Sequence, residues 1–249
     1  MIELCDPQID LLKAFSLKKD TDDFIIHCRK MFPSLVTLQR KEHLRPYIEQ
    51  SVELAKKAGF TQRGPVCVYM DMMIILGVGF ERDPLHAWLA PDALTDSSSQ
   101  LEKSMALYAA LKNYLNTVYG EQGMFFEESL QRLRHITINT LPVNPDSYSE
   151  NVHALLHALY PQRYDFIGYD AINAWLSFTD VRMKNAGITK AKHKAYMALI
   201  MFLFGYQFDQ GCFRNALNLV TQSSAFSQPD NRLHEIVISC YSCLKMTHW

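Results

Sequence analysis

Apolar residues recur along most of the chain at intervals of three and four, which is the spacing of one helical face. Strict alternation of apolar and polar residues is scarce, and Asn-Gly and Asp-Gly hairpin turns are absent from the sequence. The pattern therefore predicts an all-α fold, a bundle of about ten helices. Besides the segments discussed below, helices are predicted at about 97–119, 121–138, 147–159, 169–186, 211–220 and 229–245.

Two segments, Val66 to Phe80 and Ala195 to Phe208, are apolar on nearly every helical face. A helix needs about 20 consecutive apolar residues to cross a bilayer. Both runs are shorter than that and are closely flanked by charged residues. They are predicted to be core helices surrounded by neighbours, rather than membrane spans.

The chain can be aligned with itself without gaps so that Gly59 falls on Gly187. In this alignment the first apolar run falls on the second, and the amphipathic helices that precede the two runs also coincide. Each copy then reads as an amphipathic helix, a glycine stop, a threonine N-cap and a buried helix with a late glycine. The alignment predicts two repeat units, about 43–90 and 169–220, packed about a pseudo-two-fold axis, with a longer solenoid as the alternative. The paired positions are Gly59 and Gly187, Thr61 and Thr189, Gly77 and Gly205, and Phe80 and Phe208.

Residues 139–151 contain two prolines and several turn-forming residues, so this segment is the predicted linker. It divides the chain into an N-terminal helical lobe, 1–140, and a C-terminal helical lobe, 141–249. The first repeat unit falls in the N-terminal lobe and the second in the C-terminal lobe.

Charge and cysteine content narrow the possible partners and the compartment. Lys and Arg number 25 against 26 Asp and Glu, so no overall field attracts nucleic acid or an anionic membrane. The N-terminal segment, MIELCDPQIDLLKAF, carries acids where a signal peptide needs a cationic start, which predicts a cytoplasmic protein. The six cysteines are scattered, and in that compartment they are expected to be reduced and buried.

The motifs that could carry chemistry are incomplete. Cys240-x-x-Cys243 has no second pair to complete a zinc site. His153-x-x-x-His157 places two imidazoles on one helical face, but Ala154 stands where zinc proteases have glutamate. We therefore predict no catalytic residue, no metal and no cofactor, and we expect the histidines to flank an apolar stripe.

Asp71 is the lone charge within the first apolar run, and a buried carboxylate is costly unless it is paired. The favoured interpretation is a structural partner, either Arg45, Arg63, Arg82 or a backbone N–H. The alternative is an acid with a perturbed pKa in a functional cleft.

Two segments are candidates for a partner interface. Residues 160–175 combine Arg163, Tyr164, Asp165, Tyr169 and Asp170, and Tyr and Arg are enriched at the centres of protein interfaces. Alternatively, an aspartate caps the next helix and the rings fill the lobe junction. The second apolar helix opens with Lys190, Lys192 and Lys194, where the helix dipole disfavours cations. These lysines are either a solvated face or a patch that faces an acidic surface on a partner.

A set of residues between 32 and 88 carries a family resemblance, with consistent spacing throughout. The set is Phe32-Pro33, Leu44-Arg45, Ala55, Gly59-Phe60, Val66, Tyr69-Met70-Asp71-Met72-Met73, Gly77-x-x-Phe80, Asp83-Pro84 and Trp88. The segment resembles a family of helical bacterial proteins encoded beside type VI secretion effectors. Where that family commonly has Trp-Ala, this chain has Trp88-Leu89.

The resemblance implies an immunity protein that binds and neutralises a cognate effector toxin in the cytosol, where a nuclease is one suitable class of toxin. No catalytic residues come with the family. The motif residues themselves are expected to form the frame rather than the interface. The alternative is an effector chaperone or loading adaptor, and an enzyme or a purely structural repeat scaffold is less favoured.

Overall fold

The computed structural model describes residues 20–38, 41–89, 99–218 and 232–246. All regular secondary structure in these ranges is helical, which confirms the predicted all-α class. None of the helices seen in these ranges has the length and apolar character that a membrane crossing requires. The helices are α1 (20–31), α2 (Pro33–Leu38), α3 (Lys41–Lys57), α4 (Arg63–Ile75), α5 (Gln100–Tyr114), α6 (Met124–Leu133), α7 (Tyr148–Leu159), α8 (Pro161–Ile167), α9 (Tyr169–Asn185), α10 (Ala191–Phe204), α11 (Arg214–Leu217) and α12 (Arg232–Ser242).

The two apolar runs form α4 and α10, which lie in the core as predicted. All ten residues from Ala195 to Phe204 are buried, so α10 is enclosed on every side. In α4 the buried residues include Val66, Met70 and Met73. We call α3 with α4 the first hairpin, and α9 with α10 the second hairpin.

Both hairpins turn at a glycine with positive φ, and they do so through the same hydrogen bonds. In the first, Gly59 has a φ of 89°, and the N–H of Phe60 donates to the carbonyl of Ala55 at 2.9 Å. In the second, Gly187 has a φ of 70°, and the N–H of Ile188 donates to the carbonyl of Met183 at 2.9 Å. The predicted glycine stops are confirmed at both helix ends.

The predicted threonine caps are wrong at both sites. Helix α4 begins after Gln62 and helix α10 after Lys190, so each threonine, Thr61 and Thr189, lies one residue before the N-cap. Neither N-cap residue makes a side-chain capping bond. The side-chain oxygen of Gln100, in α5, instead accepts from the N–H groups of Thr61 and Gln62, at 2.8 and 2.9 Å.

Other boundaries also differ from the sequence prediction. Helix α8 was not predicted; it begins with Pro161 at its first position and ends at Ile167, before Gly168, whose φ is 86°. Helix α5 continues into a π-helical turn, Leu115–Tyr119. The predicted helix at 211–220 is described only to residue 218 and contains the short α11, while the start of the one at 229–245 lies outside the described residues.

The hairpins meet where two glycine backbones touch. Gly77, with a φ of 101°, and Gly205, with a φ of 86°, lie at the ends of α4 and α10. A Cβ atom on Gly77 would lie 2.5 Å from the carbonyl oxygen of Phe204, and one on Gly205 would lie 2.5 Å from that of Leu76. No side chain fits at either position, because each backbone occupies the space that the other's Cβ would need.

Asp83 joins the hairpins a few residues further on. Its carboxylate accepts from the N–H of Leu85 at 3.0 Å and from the N–H of Tyr206 at 3.1 Å. Residues 139–147, in the predicted linker, contain one short 3₁₀ turn, Pro145–Ser147, before α7 begins. The buried apolar core extends across the predicted lobe boundary, since residues of both predicted lobes belong to one cluster.

Candidate functional site

Arg163, predicted to contact a partner, lies in the core instead. Its side chain is only 3% exposed, and its Nη1 donates to the carbonyl of Leu203 at 3.4 Å. The guanidinium lies 4.9 Å from the centre of the Phe202 ring, a cation–π contact with α10. Arg163 therefore lies below the surface of the folded chain, and not on the face where the sequence pattern predicted a partner contact.

Three other members of that segment, Tyr164, Asp165 and Tyr169, lie against two histidines of α7, His153 and His157. The Tyr164 hydroxyl is 2.8 Å from Nδ1 of His153, and the Tyr169 ring stacks on His153 with a centroid distance of 4.2 Å. Tyr169 is 57% exposed, and both Asp165 and Asp170 are exposed. Burial lowers the pKa of His153, which favours its neutral form. Among the described residues no group of three His, Cys, Asp or Glu side chains is placed to hold a metal.

The lysines at the start of α10 do not form a patch of three free cations. Lys194 is paired with Asp180, with 2.7 Å between Nζ and Oδ1, and its side chain is 19% exposed. Lys190 and Lys192 are exposed, and Nζ of Lys192 donates to the carbonyl of Asn139 at 3.3 Å. The predicted patch is therefore limited to Lys190 and Lys192, because α9 supplies a carboxylate for Lys194.

The cysteines of the predicted thiol motif are buried in and just after α12. Burial raises the pKa of the Cys240 thiol to about 12 and also raises that of Cys243. A thiol is nucleophilic only when it is ionised, so these two behave as small apolar side chains.

Asp71 has a structural partner, but not one of those predicted. Nε2 of His27, in α1, lies 2.8 Å from Oδ1 and 3.0 Å from Oδ2 of Asp71. Arg45 and Arg63 pair with two aspartates near the start of α1, Asp22 and Asp23, instead. Because α1 packs against α4, the partner of Asp71 is His27, a residue that is distant in the sequence.

Asp71 also borders a cleft of about 270 Å³ between α1, α4 and α5, which we call the apolar cleft. Its lining is mostly apolar and includes Met31, Val68, Ile75 and Leu111. Burial raises the pKa of Asp71, and the neighbouring His27 offsets part of that rise. The apolar cleft thus presents one partly buried acid, Asp71, and one lysine, Lys112, within a mostly apolar lining.

Beside the apolar cleft, α5 exposes a row of large apolar side chains that we call the α5 row. Leu101 is 55% exposed, Met105 is 63% exposed and Tyr108 is 48% exposed. Their spacing of four and three residues places them on one stripe of the helix, and Tyr108 also lines the apolar cleft. Sequence analysis missed this row, because α5 has a second apolar stripe that includes Leu107 and is buried.

Replacing Asp71 with asparagine is expected to remove a pH dependence of stability. Because burial raises the pKa of Asp71 above its ordinary 3.8, the unfolded chain loses this proton at a lower pH than the folded chain. The free energy of unfolding of the parent, relative to Asp71→Asn, should therefore fall as the pH rises from about 3 through the folded pKa. Urea denaturation of both proteins across this range measures the difference.

Asp180 provides a control of opposite sign. Hydrogen bonds from Lys184 and Lys194 lower the pKa of Asp180, so its contribution to stability should grow as the pH rises. The parent compared with Asp180→Asn should therefore show a rising difference over the same range. Slopes of the same sign for both aspartates would contradict the environment assigned to Asp71.

Comparison of the chain with known protein families, with curated proteins and with solved structures gives no match.

Proposed function

We propose that the chain is an immunity protein, which binds a cognate type VI secretion effector toxin in the cytosol and occludes it through a protein–protein interface. The observation that carries the proposal is the α5 row, three exposed apolar side chains beside the apolar cleft. Leu101, Met105 and Tyr108 all keep a large part of their surface open to solvent in the folded chain. Contiguous exposed apolar surface of this kind marks interaction sites.

The chemistry of this surface suits a polypeptide partner. Met and Tyr are enriched in protein interfaces because they supply large contact areas, and a helix stripe beside a cleft offers both a flat and a concave element. A partner side chain that enters the apolar cleft would meet the carboxylate of Asp71. An apolar partner side chain fits the rest of that lining, in which Asp71 and Lys112 offset each other's charge.

The burial of the family motif supports a rigid frame that presents this surface. Ten of its residues have no more than 4% of their surface exposed, and in Asp83 both carboxylate oxygens accept backbone bonds. The ten are Phe32, Leu44, Ala55, Phe60, Val66, Tyr69, Met70, Met72, Met73 and Phe80. Trp88, also in the motif, stacks on Tyr114 with a centroid distance of 5.0 Å. A shared frame with a variable surface is what recognition of different toxins requires.

We also infer that the two hairpins are copies of one unit related by a pseudo-two-fold axis. The equivalent helix ends make equivalent hydrogen bonds, and the Gly77–Gly205 contact is reciprocal, since each glycine faces the residue just before the other. Reciprocal contacts between equivalent residues are typical of a two-fold arrangement, whereas solenoid repeats contact each other through different faces. A superposition of 43–90 on 169–220 that needs a rotation far from a half-turn would contradict this inference.

The proposed function is tested by producing the chain together with the product of the neighbouring effector gene. An immunity protein should co-purify with that product at micromolar concentration and should rescue a cell that makes the toxin internally. A chaperone or loading adaptor would bind the same toxin and change its export without rescuing the cell. Absence of a complex at micromolar concentration would overturn the proposal.

Replacing Met105 with glutamate is expected to weaken toxin binding by about tenfold or more, because the interface must then desolvate a charge. Val181→Glu is the matched control, since Val181 is 59% exposed but lies on α9. Isothermal titration with the purified toxin gives both affinities, and circular dichroism checks that each variant is folded. Equal effects of the two substitutions would exclude the α5 row as the interface.

A further inference from the structure

A second open site lies between α3, α5 and the turn that follows α4, and we call it the first hairpin cleft. Its volume is about 440 Å³. Three aromatic side chains in its lining contact one another: Tyr69 is 5.5 Å from Phe60 and 5.2 Å from Phe80 between ring centres. The site is separate from the apolar cleft, which is lined by other residues of α5.

Three cations line the first hairpin cleft. They are Lys57 at the end of α3, Arg82 in the turn after α4 and Lys103 in α5. None of the three forms an ion pair with another described residue. Glu81 is the sole acid in the lining as far as the chain is described, and its carboxylate accepts a hydrogen bond from the Tyr69 hydroxyl. The lining therefore carries two more positive than negative charges.

The second hairpin has a cleft of about 340 Å³, and in the alignment that places Gly59 on Gly187 six of its seven lining residues fall on residues that line the first. Asn185 stands there where the first cleft has Lys57, and Asp209 stands where the first has Glu81. Asp209 is already neutralised by Arg182, with 2.6 Å between Nη2 and Oδ1. The second cleft occupies the same position in its hairpin, and its acid is paired with an arginine. The excess cations of the first cleft are therefore not needed to fold a hairpin of this kind.

We propose that the first hairpin cleft binds the carboxylate groups of an acidic polypeptide segment. Excess cations in a concave site attract anions more strongly than the same charges on a flat surface. Glu81 offsets part of this attraction, so the lining keeps a net charge of about two positive units for an anionic occupant. This proposal extends the proposed function. It rests on that function in one respect, that the occupant is a polypeptide.

The test uses a fluorescein-labelled hexaglutamate peptide and measures its binding to the full chain by fluorescence anisotropy at low salt. The double variant Arg82→Gln/Lys103→Gln is expected to bind it about tenfold more weakly than the parent, and added salt should weaken the parent's binding. The matched control is Lys190→Gln/Lys192→Gln, which removes two exposed cations from the start of α10 and should change the affinity less than twofold. Equal losses in both variants, or no binding by the parent, would overturn the proposal.

Two further arms separate the alternatives. Inorganic phosphate that displaces the peptide at an equal or lower concentration than succinate, a dicarboxylate of similar charge, would identify a phosphate site and overturn the carboxylate assignment. Met105→Glu should leave hexaglutamate binding unchanged, because Met105 lies outside the lining of the first hairpin cleft. If Met105→Glu loses toxin binding but still binds hexaglutamate, both proposals are supported. Because the two measurements use different ligands, a failure of one proposal can be distinguished from a failure of the other.

Discussion

Replacement of Gly205 by alanine is expected to lower the free energy of unfolding by about 4 kcal/mol. Two costs add at this position. A non-glycine residue with the φ of 86° and ψ of 161° found here pays about 1 to 3 kcal/mol, because this backbone region is almost exclusive to glycine. The new Cβ would also lie 2.5 Å from the Leu76 carbonyl oxygen and 2.7 Å from the Gly77 Cα. Both atoms belong to a backbone, so only separation of the two hairpins relieves the clash.

That separation opens a gap in the core, which costs about 2 kcal/mol or more. Gly77→Ala should be similarly damaging, because its Cβ would meet the Phe204 carbonyl oxygen at 2.5 Å and the Gly205 Cα at 2.7 Å. The two variants probe the same contact from opposite sides. Their effects should therefore not add when the substitutions are combined.

Gly59 and Gly187 are matched controls within the same chain. Both have positive φ, but a Cβ on either would find no heavy atom within 4 Å. Alanine at these sites should cost about 1 to 2 kcal/mol, which is the conformational cost alone. Urea denaturation followed by circular dichroism measures all four variants. Equal losses of unfolding free energy at the four glycines would show that the close approach of the hairpins does not add to the cost of a side chain at Gly77 and Gly205.

The features that were predicted correctly are those that depend on residues close together in the sequence. The glycine stops at Gly59 and Gly187 follow from local conformation, since glycine alone takes positive φ without strain. The buried state of α4 and α10 follows from their composition, because a helix with no polar face cannot lie at the surface. The threonine cap predicted at α4 failed because the start of that helix also depends on Gln100, a residue distant in the sequence that accepts from the free N–H groups.

The site residues depended on tertiary contacts that periodicity does not encode. Arg163 faces inward because α8 begins at Pro161, and without that helix its direction could not be predicted. The partner of Asp71 is His27 because α1 packs on α4, whereas sequence reasoning considered only arginines and the backbone. In α5 the exposed row could be recognised only after Leu107 and Leu111 were placed in the core.

Replacement of Asp83 by alanine is expected to cost about 3 kcal/mol of unfolding free energy. Asp83 is 5% exposed, and its two oxygens accept from the N–H groups of Leu85 and Tyr206. Each donor left without an acceptor in this buried setting costs about 1 to 3 kcal/mol. Asp83→Asn should lose about half as much, because the amide oxygen can replace one acceptor while its NH₂ group cannot replace the other.

Asn144 offers a control with the same local turn. It is also followed by proline, and its side-chain oxygen accepts from the N–H of Asp146 at 3.1 Å, but the turn is exposed. Asn144→Ala should therefore cost only about 0.5 to 1 kcal/mol, because water satisfies the freed N–H. Thermal and urea denaturation of both alanine variants measures the contrast. The bond to Tyr206 and its burial are what distinguish the turn at Asp83 from the turn at Asn144. If Asp83→Ala loses no more unfolding free energy than Asn144→Ala, the bond to Tyr206 does not join the hairpins.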